Sequence, residues 1–451
     1  MKSLRAFSMI FLFSSLVPAT SSRALEISFE EDHSLPVVYI NLAVKSGGAS
    51  DPRGQLGITN FLGEMLMRGT MTRDKARFDL ELDRLGARME ADTRTEALIM
   101  RAVVLSENTD ALLALFTESV LQPAFEEKEI AKLKSEITSA ILDEMGRDAS
   151  LAARHFMNFL FESHPYGNPL LGTMKDVQSL SREQILQHFD RLFCDQQFVA
   201  VGSGACEEDK ISDWARNLAS SRAHCKELPP MQAPKDAASL RVQIIDKPDR
   251  TQAQVYGGQV GITYNDDLFF PLYVANNAFG GRSFSARMMN EIRVKRGWSY
   301  GAFSSLIPGK FPRAWFFTFY PTSKNVAEST SFALKMISDV REKGLTGEEF
   351  DFARQSLVSS SGFMYNTPSK RVENKLNERI LGLPDGFYKS FGNKISNVTL
   401  EDANKALKSF LKPDKLAISI LATSKDIKPA LAKNLGLAED KIIVTKYTEE
   451  K

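Results

Sequence analysis

The 451-residue sequence is poor in the residues from which metal and redox sites are usually built. It has five histidines, His33, His155, His164, His188 and His224, and no two lie three or four apart. A helical two-histidine metal site cannot be assembled locally from them. Its three cysteines, Cys194, Cys206 and Cys225, include no Cys-x-x-Cys pair. That spacing excludes a dithiol redox motif and a thiolate zinc site, and leaves room for one disulfide in an oxidising compartment. There is no surplus of charge, with 57 Lys+Arg against 56 Asp+Glu. A near-neutral chain has no field to draw it to nucleic acid or anionic lipid. Nucleic acid is therefore not an expected partner. Beyond residue 24 no stretch approaches the roughly 18 apolar residues of a membrane span, so no membrane contact is expected of the mature chain. What remains is ordinary: 43% hydrophobic and 25% charged residues, a balance that excludes disorder, collagen and a coiled-coil rod.

Residues 1–24 stand apart. Lys2 and Arg5 precede an apolar stretch from Ala6 to about Ala19, and Ser22-Arg23-Ala24 fits a small-x-small cleavage site. This is the layout of a secretory signal peptide, and it implies a periplasmic or secreted protein. No acidic residue precedes Glu26 and serine is frequent, so a mitochondrial transit peptide is the alternative.

The clearest linker is Lys226–Ser239, with three prolines, which break both helix and ladder. It predicts an N-terminal domain over 25–228, a linker ending at 239 and a C-terminal domain over 240–451. The halves repeat in pattern. Pro36–Val44 reads as a strand, and Gly57–Arg68 as an amphipathic helix with apolar residues at 58, 61, 62, 65 and 66. A helix over about Arg73–Leu85, strands near Arg88–Asp92 and Ala97–Leu105, and a helix from Asn108 to Leu121 follow. Half two repeats this order with a strand near Gln252–Val260 and helices at Leu268–Phe279 and about Ser285–Lys295. Strands near Ser299–Ile307 and Ala314–Tyr320 come next, then a helix over Val326–Arg341. Each half closes on an apolar strand, Phe198–Gly202 or Leu416–Ala422. The expected class is α+β, with two tandem homologous domains carrying helices on one face of a mixed or antiparallel sheet.

Several phrases now join this order: Gly57–Thr70, Leu82-Asp83-Arg84-Leu85-Gly86-Ala87, Leu121-Gln122-Pro123-Ala124-Phe125, His164-Pro165-Tyr166-Gly167, Asn277-Ala278-Phe279-Gly280-Gly281 and Glu291–Tyr300. Together they resemble the M16 peptidases, the pitrilysin and insulinase clan, and more narrowly the short-chain branch related to mitochondrial processing peptidase. The resemblance implies a metallohydrolase-like half of a clam shell. It also implies His-x-x-Glu-His on the first helix, where two His would bind zinc and the Glu would act as general base. Here the matching stretch reads Asn60-Phe61-Leu62-Gly63-Glu64. Asn60 and Glu64 stand in place of the two His, and Gly63 in place of the base. Glu136 and Glu144, on a helix over Glu127–Met145, are the candidates for the family's downstream carboxylate, and spacing does not choose between them. Carboxylates alone are a poor substitute for an imidazole site. A hard-cation site from Glu64 and a downstream Glu would need several more oxygens. No metal is expected in this chain.

Arg293 and Tyr300 stand seven residues apart. Alone, Arg293, Lys295 and Arg296 read as a solvated helix end near Gly297. The resemblance instead implies that Arg293 and Tyr300 contact substrate and the oxyanion of a tetrahedral intermediate. A chain without the zinc helix but with this pair resembles the non-catalytic partner in a heterodimeric zinc endopeptidase. The expected partner is a homologous chain with an intact His-x-x-Glu-His, which would hold the zinc, and the expected substrates are short unfolded peptides. A peptide-binding or scaffold pseudoenzyme, homodimeric and without proteolytic activity, is the alternative. The prolines where the family has a glycine-rich connection put hinge motion in doubt, and Lys446–Lys451 reads as a solvated tail.

Overall fold

The computed structural model describes residues 25–225, 231–281 and 284–450. The expected signal peptide lies outside them, as does the start of the linker. The first sheet contains β1 (Glu26–Glu31), β2 (Val37–Val44), β3 (Arg88–Thr93), β4 (Leu98–Leu105) and β5 (Phe198–Gly204), in the order β1-β5-β2-β4-β3. The second contains β6 (Arg241–Asp246), β7 (Gln254–Val260), β8 (Ala302–Leu306), β9 (Ala314–Phe319), β10 (Ala417–Ala422) and β11 (Ile442–Lys446), in the order β11-β6-β10-β7-β9-β8. Removing β11 leaves the order of the first sheet repeated strand for strand. β1 runs parallel to β5, as β6 does to both β10 and β11, and the remaining neighbours in each sheet are antiparallel. The sheets are therefore mixed. Strands β1, β6 and β11 escape sequence reading because they are short and carry charges at or near their ends.

The principal helices of half one are α1 (Ile58–Leu66), α2 (Lys75–Leu85), α3 (Thr109–Leu121), α4 (Glu127–Gly146), α5 (Asp148–Phe161) and α6 (Arg182–Leu192). Those of half two include α7 (Phe269–Gly280), α8 (Val326–Lys343), α9 (Pro368–Leu381) and α10 (Leu400–Phe410). Helices α1 and α3 cover one face of the first sheet, and α7 packs on β8 in the second. The opposite faces are not bare, as a one-faced arrangement predicts. Each is covered by a helix from the other half: α9 lies on β2 and β5, and α5 on β7 and β10. This two-sided cover explains why β5 and β10 are buried along their whole length and read as continuous apolar runs.

The exchange is tightly fitted. Val372, Leu376 and Ile380 of α9 pack with Ile99, Val199 and Val201. Phe156 of α5 stacks on Tyr256 at 5.4 Å, and a Cβ at Gly258 would lie 3.0 Å from its ring. Ion pairs add to the lock, with Glu373 of α9 holding both Arg94 and Arg101 at 2.7 Å. Two halves that each bury a helix of the other cannot swing about the linker without exposing both cores. The C-terminal tail is also tied down: the Glu450 carboxylate accepts from the Met174 amide at 3.0 Å and lies near Arg154. Cys194 and Cys225 form a disulfide, which fastens the end of half one beside β5. Cys206 is free and buried.

Candidate functional site

Helix α1 begins at Gly57, whose φ of +87° and close approach to Leu171 oxygen, 2.5 Å from any added Cβ, require glycine. Glycine offers no side-chain cap, and Asp51 supplies it from outside. Its carboxylate accepts from the Gly57 amide at 2.7 Å, the Thr59 amide at 3.2 Å and the Thr59 hydroxyl. The Thr59 Oγ lies 2.8 Å from His188 Nε2 on α6, and Arg191 Nη2 lies 2.8 Å from His188 Nδ1. Arginine only donates, so Nδ1 accepts and Nε2 carries the proton; the Thr59 hydroxyl accepts from Nε2 and donates its own proton to Asp51. Burial pushes the Asp51 carboxyl up to about 7 against the donors that pull it down. Burial, followed by the neighbouring Arg191, pushes His188 down to about 3. Sequence reading missed this network because its members are far apart in the chain and spell no motif.

One turn further along, Asn60 is half-buried, Gly63 is buried, and Glu64 is half-buried. A Cβ on Gly63 would come within 2.6 Å of Leu98 Cδ1 and 3.2 Å of Ala91 Cβ, so α1 rests directly on β3 and β4. Burial raises the Glu64 carboxyl, and Glu136 adds to the rise. The decisive neighbour is Arg68, just past the helix end. Its guanidinium, 9% exposed, binds Glu129 at 3.2 Å and also Glu136. Glu136 is thus brought to α1, but an internal cation already neutralises it. Glu144 is not: it turns to Arg154 of α5 at 3.5 Å. The imidazole that meets α1, His188, is bonded to Thr59, and an arginine sits between the carboxylates Glu129 and Glu136. This donor set does not fit the family's zinc ion. Among the described residues no group of three His, Cys, Asp or Glu is placed to hold a metal.

The second candidate site differs. Ser285–Lys295 is not the regular helix its pattern predicts. Met289–Val294 form a turn of π-helix, with the Lys295 amide bonded five residues back to Asn290 oxygen at 2.9 Å, and such wide turns recur at functional sites. The three cations of this stretch also separate. Lys295 and Arg296 both bind Glu291, at 2.6 and 2.7 Å, and Arg296 stacks on Phe332 at 3.7 Å. Arg293 has no carboxylate partner among the described residues. Its guanidinium lies between two aromatic rings, 4.8 Å from Phe284 and 4.8 Å from Tyr300. Tyr300 is 83% exposed and Phe284 65%. The structure thus brings Arg293 and Tyr300 together and adds Phe284, which sequence reading passed over.

Two family models match the chain. One is described as insulinase, peptidase family M16, over residues 26–174, and the other as peptidase M16 inactive domain over 179–357. The chain belongs to the M16 peptidase family. An M16 relative from Helicobacter pylori, named a non-peptidase homolog, is 27% identical over 89% of this chain and 93% of its own length. The mitochondrial-processing peptidase subunit beta of Saccharomyces cerevisiae is 24% identical over 45% of each chain. Among solved structures, the M16 inactive domain from Pseudomonas fluorescens superposes with a TM-score of 0.82 at 20% identity, covering 88% of this chain and 95% of that one. The periplasmic protease PqqL from Escherichia coli gives 0.74 at 15% identity, with 95% of this chain matching 49% of that one. These likenesses place the two-domain fold in the M16 family.

Proposed function

We propose that this chain is a non-catalytic M16 subunit that lends Arg293 and Tyr300 to the zinc site of a homologous partner carrying His-x-x-Glu-His. One observation carries the reading. The fold uses Lys295 and Arg296 in ion pairs with Glu291 but leaves Arg293 without a carboxylate partner among the described residues, between the exposed rings of Phe284 and Tyr300. A guanidinium is always charged and offers a rigid fork of donors. With a tyrosine hydroxyl beside it, it can hold a peptide carbonyl and steady a developing oxyanion. The first half supports the same reading, because Arg68 occupies the carboxylates that a metal would need. Strands β3 and β8 lie at sheet edges, where a short unfolded peptide can add a strand by main-chain hydrogen bonds. A periplasmic or secreted location fits the leader-like N-terminus and the Cys194–Cys225 disulfide.

Hydrolysis of a quenched flexible peptide tests the proposal. The chain alone, a zinc-motif homologue alone, and their mixture are assayed with and without chelator. Activity confined to the mixture and lost with chelator supports it, and Arg293→Ala should then lower turnover of the pair. Full activity with Arg293→Ala sinks the role of Arg293. Chelator-sensitive activity from the pure single chain sinks the non-catalytic reading. Binding of peptide without hydrolysis in any mixture favours a homodimeric scaffold.

A further inference from the structure

A second place in the molecule holds an arginine with no hydrogen-bond or ion-pair partner among the described residues. Five arginines have a buried Nε that meets no acceptor: Arg68, Arg191, Arg241, Arg250 and Arg313. Four of them spend their other nitrogens on carboxylates, on main-chain oxygens or on His188. Arg313 makes no hydrogen bond or ion pair from its side chain among the described residues, and rests only near the Tyr166 ring at 5.8 Å. A buried donor left unpaired is costly, and native proteins rarely keep one without a water, ion or ligand to meet it.

Arg313 lines a cavity of about 340 Å³ where the two halves meet. The turn between β3 and β4 supplies Arg94 and Glu96 to one side, and the turn between β8 and β9 supplies Pro308 and Arg313 to the other. Helix α9 supplies Asn377 and Ile380. The charged groups beside it, Arg94 and Glu96, are occupied. Arg94 gives its nitrogens to Asp92, Glu373 and Asn377 at 3.0, 2.7 and 2.9 Å. Glu96 accepts from the Tyr166 hydroxyl and, at 2.7 Å, from the Lys310 amide. Gly309 keeps the place open: a Cβ there would lie 2.6 Å from Arg313 Cδ and 2.9 Å from Glu96 Oε1.

We infer that this cavity is a binding site for a singly charged carboxylate carrying an apolar group, such as the C-terminal residue of a peptide. Arg313 provides a free planar fork that matches a carboxylate. The carboxylate of Glu96, on the same rim, repels a dianion such as phosphate. Leucine, isoleucine and proline side chains from the second turn and α9 wall the remainder and suit an apolar side chain. The inference is independent of Arg293 and Tyr300. It can fail while they keep their role, and the reverse.

Calorimetric titration of the mature chain tests it with four probes: the tripeptide Ala-Ala-Leu, its C-terminal amide, N-acetyl-leucine and inorganic phosphate. The free acid should bind and the amide at least about tenfold more weakly, the scale of one lost charge-assisted contact; phosphate should not bind. Arg313→Gln should weaken the acid at least about tenfold, and Arg313→Lys less. Gly309→Val, whose added side chain would crowd Arg313 and Glu96, should also abolish binding. The thermal midpoint of Arg313→Gln should stay at or above that of the unaltered protein, because the side chain makes no hydrogen bond or ion pair among the described residues. Tighter binding of the tripeptide than of N-acetyl-leucine marks a peptide terminus as the ligand, and equal binding marks any small apolar acid; both uphold the site. Equal binding of acid and amide, no binding of either, or an unaffected Arg313→Gln overturns it.

Discussion

Arg68 in the first half and Arg293 in the second are both arginines of the two stretches where the family's chemistry would sit, and they are held in opposite ways. Arg68 is buried and clasped by Glu129 and Glu136. Arg293 is stacked between two exposed rings and faces no carboxylate among the described residues. A buried cation between carboxylates is part of the folded state, because removing it strands the charges left behind. A half-buried cation on exposed aromatic faces contributes little to folding, on the order of 0.5–1 kcal/mol. The first half has turned its site inward and made it structural. The second keeps Arg293 without a carboxylate partner among the described residues, as its proposed role in another molecule's site requires.

The sharpest test of this contrast is Arg68→Ala. It leaves Glu129, nearly buried, without its partner, and should cost about 3 kcal/mol, the low end of the range for breaking a buried pair because Glu136 reaches water. Denaturant unfolding reads the loss. A double variant with Glu129→Ala should recover part of it, as the stranded charge is then gone. A loss within experimental error would mean that Arg68 is no more structural than Arg293, and the contrast would collapse.

Gly63→Ala comes next. The added methyl meets Leu98 and Ala91 in a packed layer. Leu98 is fully buried and has little room to move, so a cost of about 1–3 kcal/mol is expected from overpacking. A neutral result would show that α1 can lift from β3 and β4, and that a larger residue at 63, including the general base of active relatives, is tolerated.

How far the sequence discloses these two sites also differs. The stripe at 58, 61, 62, 65 and 66 marks α1, because one face of it is core, and the repeated order of elements discloses the duplication. Asn60, Gly63 and Glu64 are visible by resemblance as departures from a motif. The partners that decide their meaning are not. Arg68 meets Glu136 across 68 residues and Thr59 meets His188 across 129, distances at which no periodicity operates. The crossing of α5 and α9 between halves is equally silent, since an amphipathic helix does not say which sheet it will cover. In the second half, Arg293 and Tyr300 are close in sequence and were legible together. Phe284 was not, because an exposed phenylalanine in a loop carries no pattern.

The buried network at the start of α1 adds a pH signature that the exposed site lacks. Asp51 has a folded-state pKa near 7, above the roughly 3.9 of an unfolded aspartate. Its contribution to stability is present at low pH and is lost as pH rises through about 7. His188, pushed to about 3 from roughly 6.5, works in the opposite sense, its contribution being lost as pH falls. Asp51→Asn removes the first and leaves the second. Its stability relative to the unaltered chain should rise between about pH 4 and pH 7, by up to about 1.4 kcal/mol per unit. Unfolding curves across that window decide the matter. A relative stability that falls with pH would show that Thr59, the two amides and Arg191 outweigh burial and that Asp51 is a settled carboxylate.

The smallest expected effect is the one that separates the halves most cleanly. Tyr300→Ala removes a side chain that is 83% exposed and should change stability by no more than about 0.5 kcal/mol, as for surface positions generally. The same substitution should weaken peptide hydrolysis by the pair formed with a zinc-motif homologue, through lower turnover more than through a higher KM, if the hydroxyl serves the transition state. Neutral stability with impaired turnover is the combination that a structural tyrosine cannot give. Equal losses in both would return Arg293 and Tyr300 to the fold, and the second half would then be no different in kind from the first.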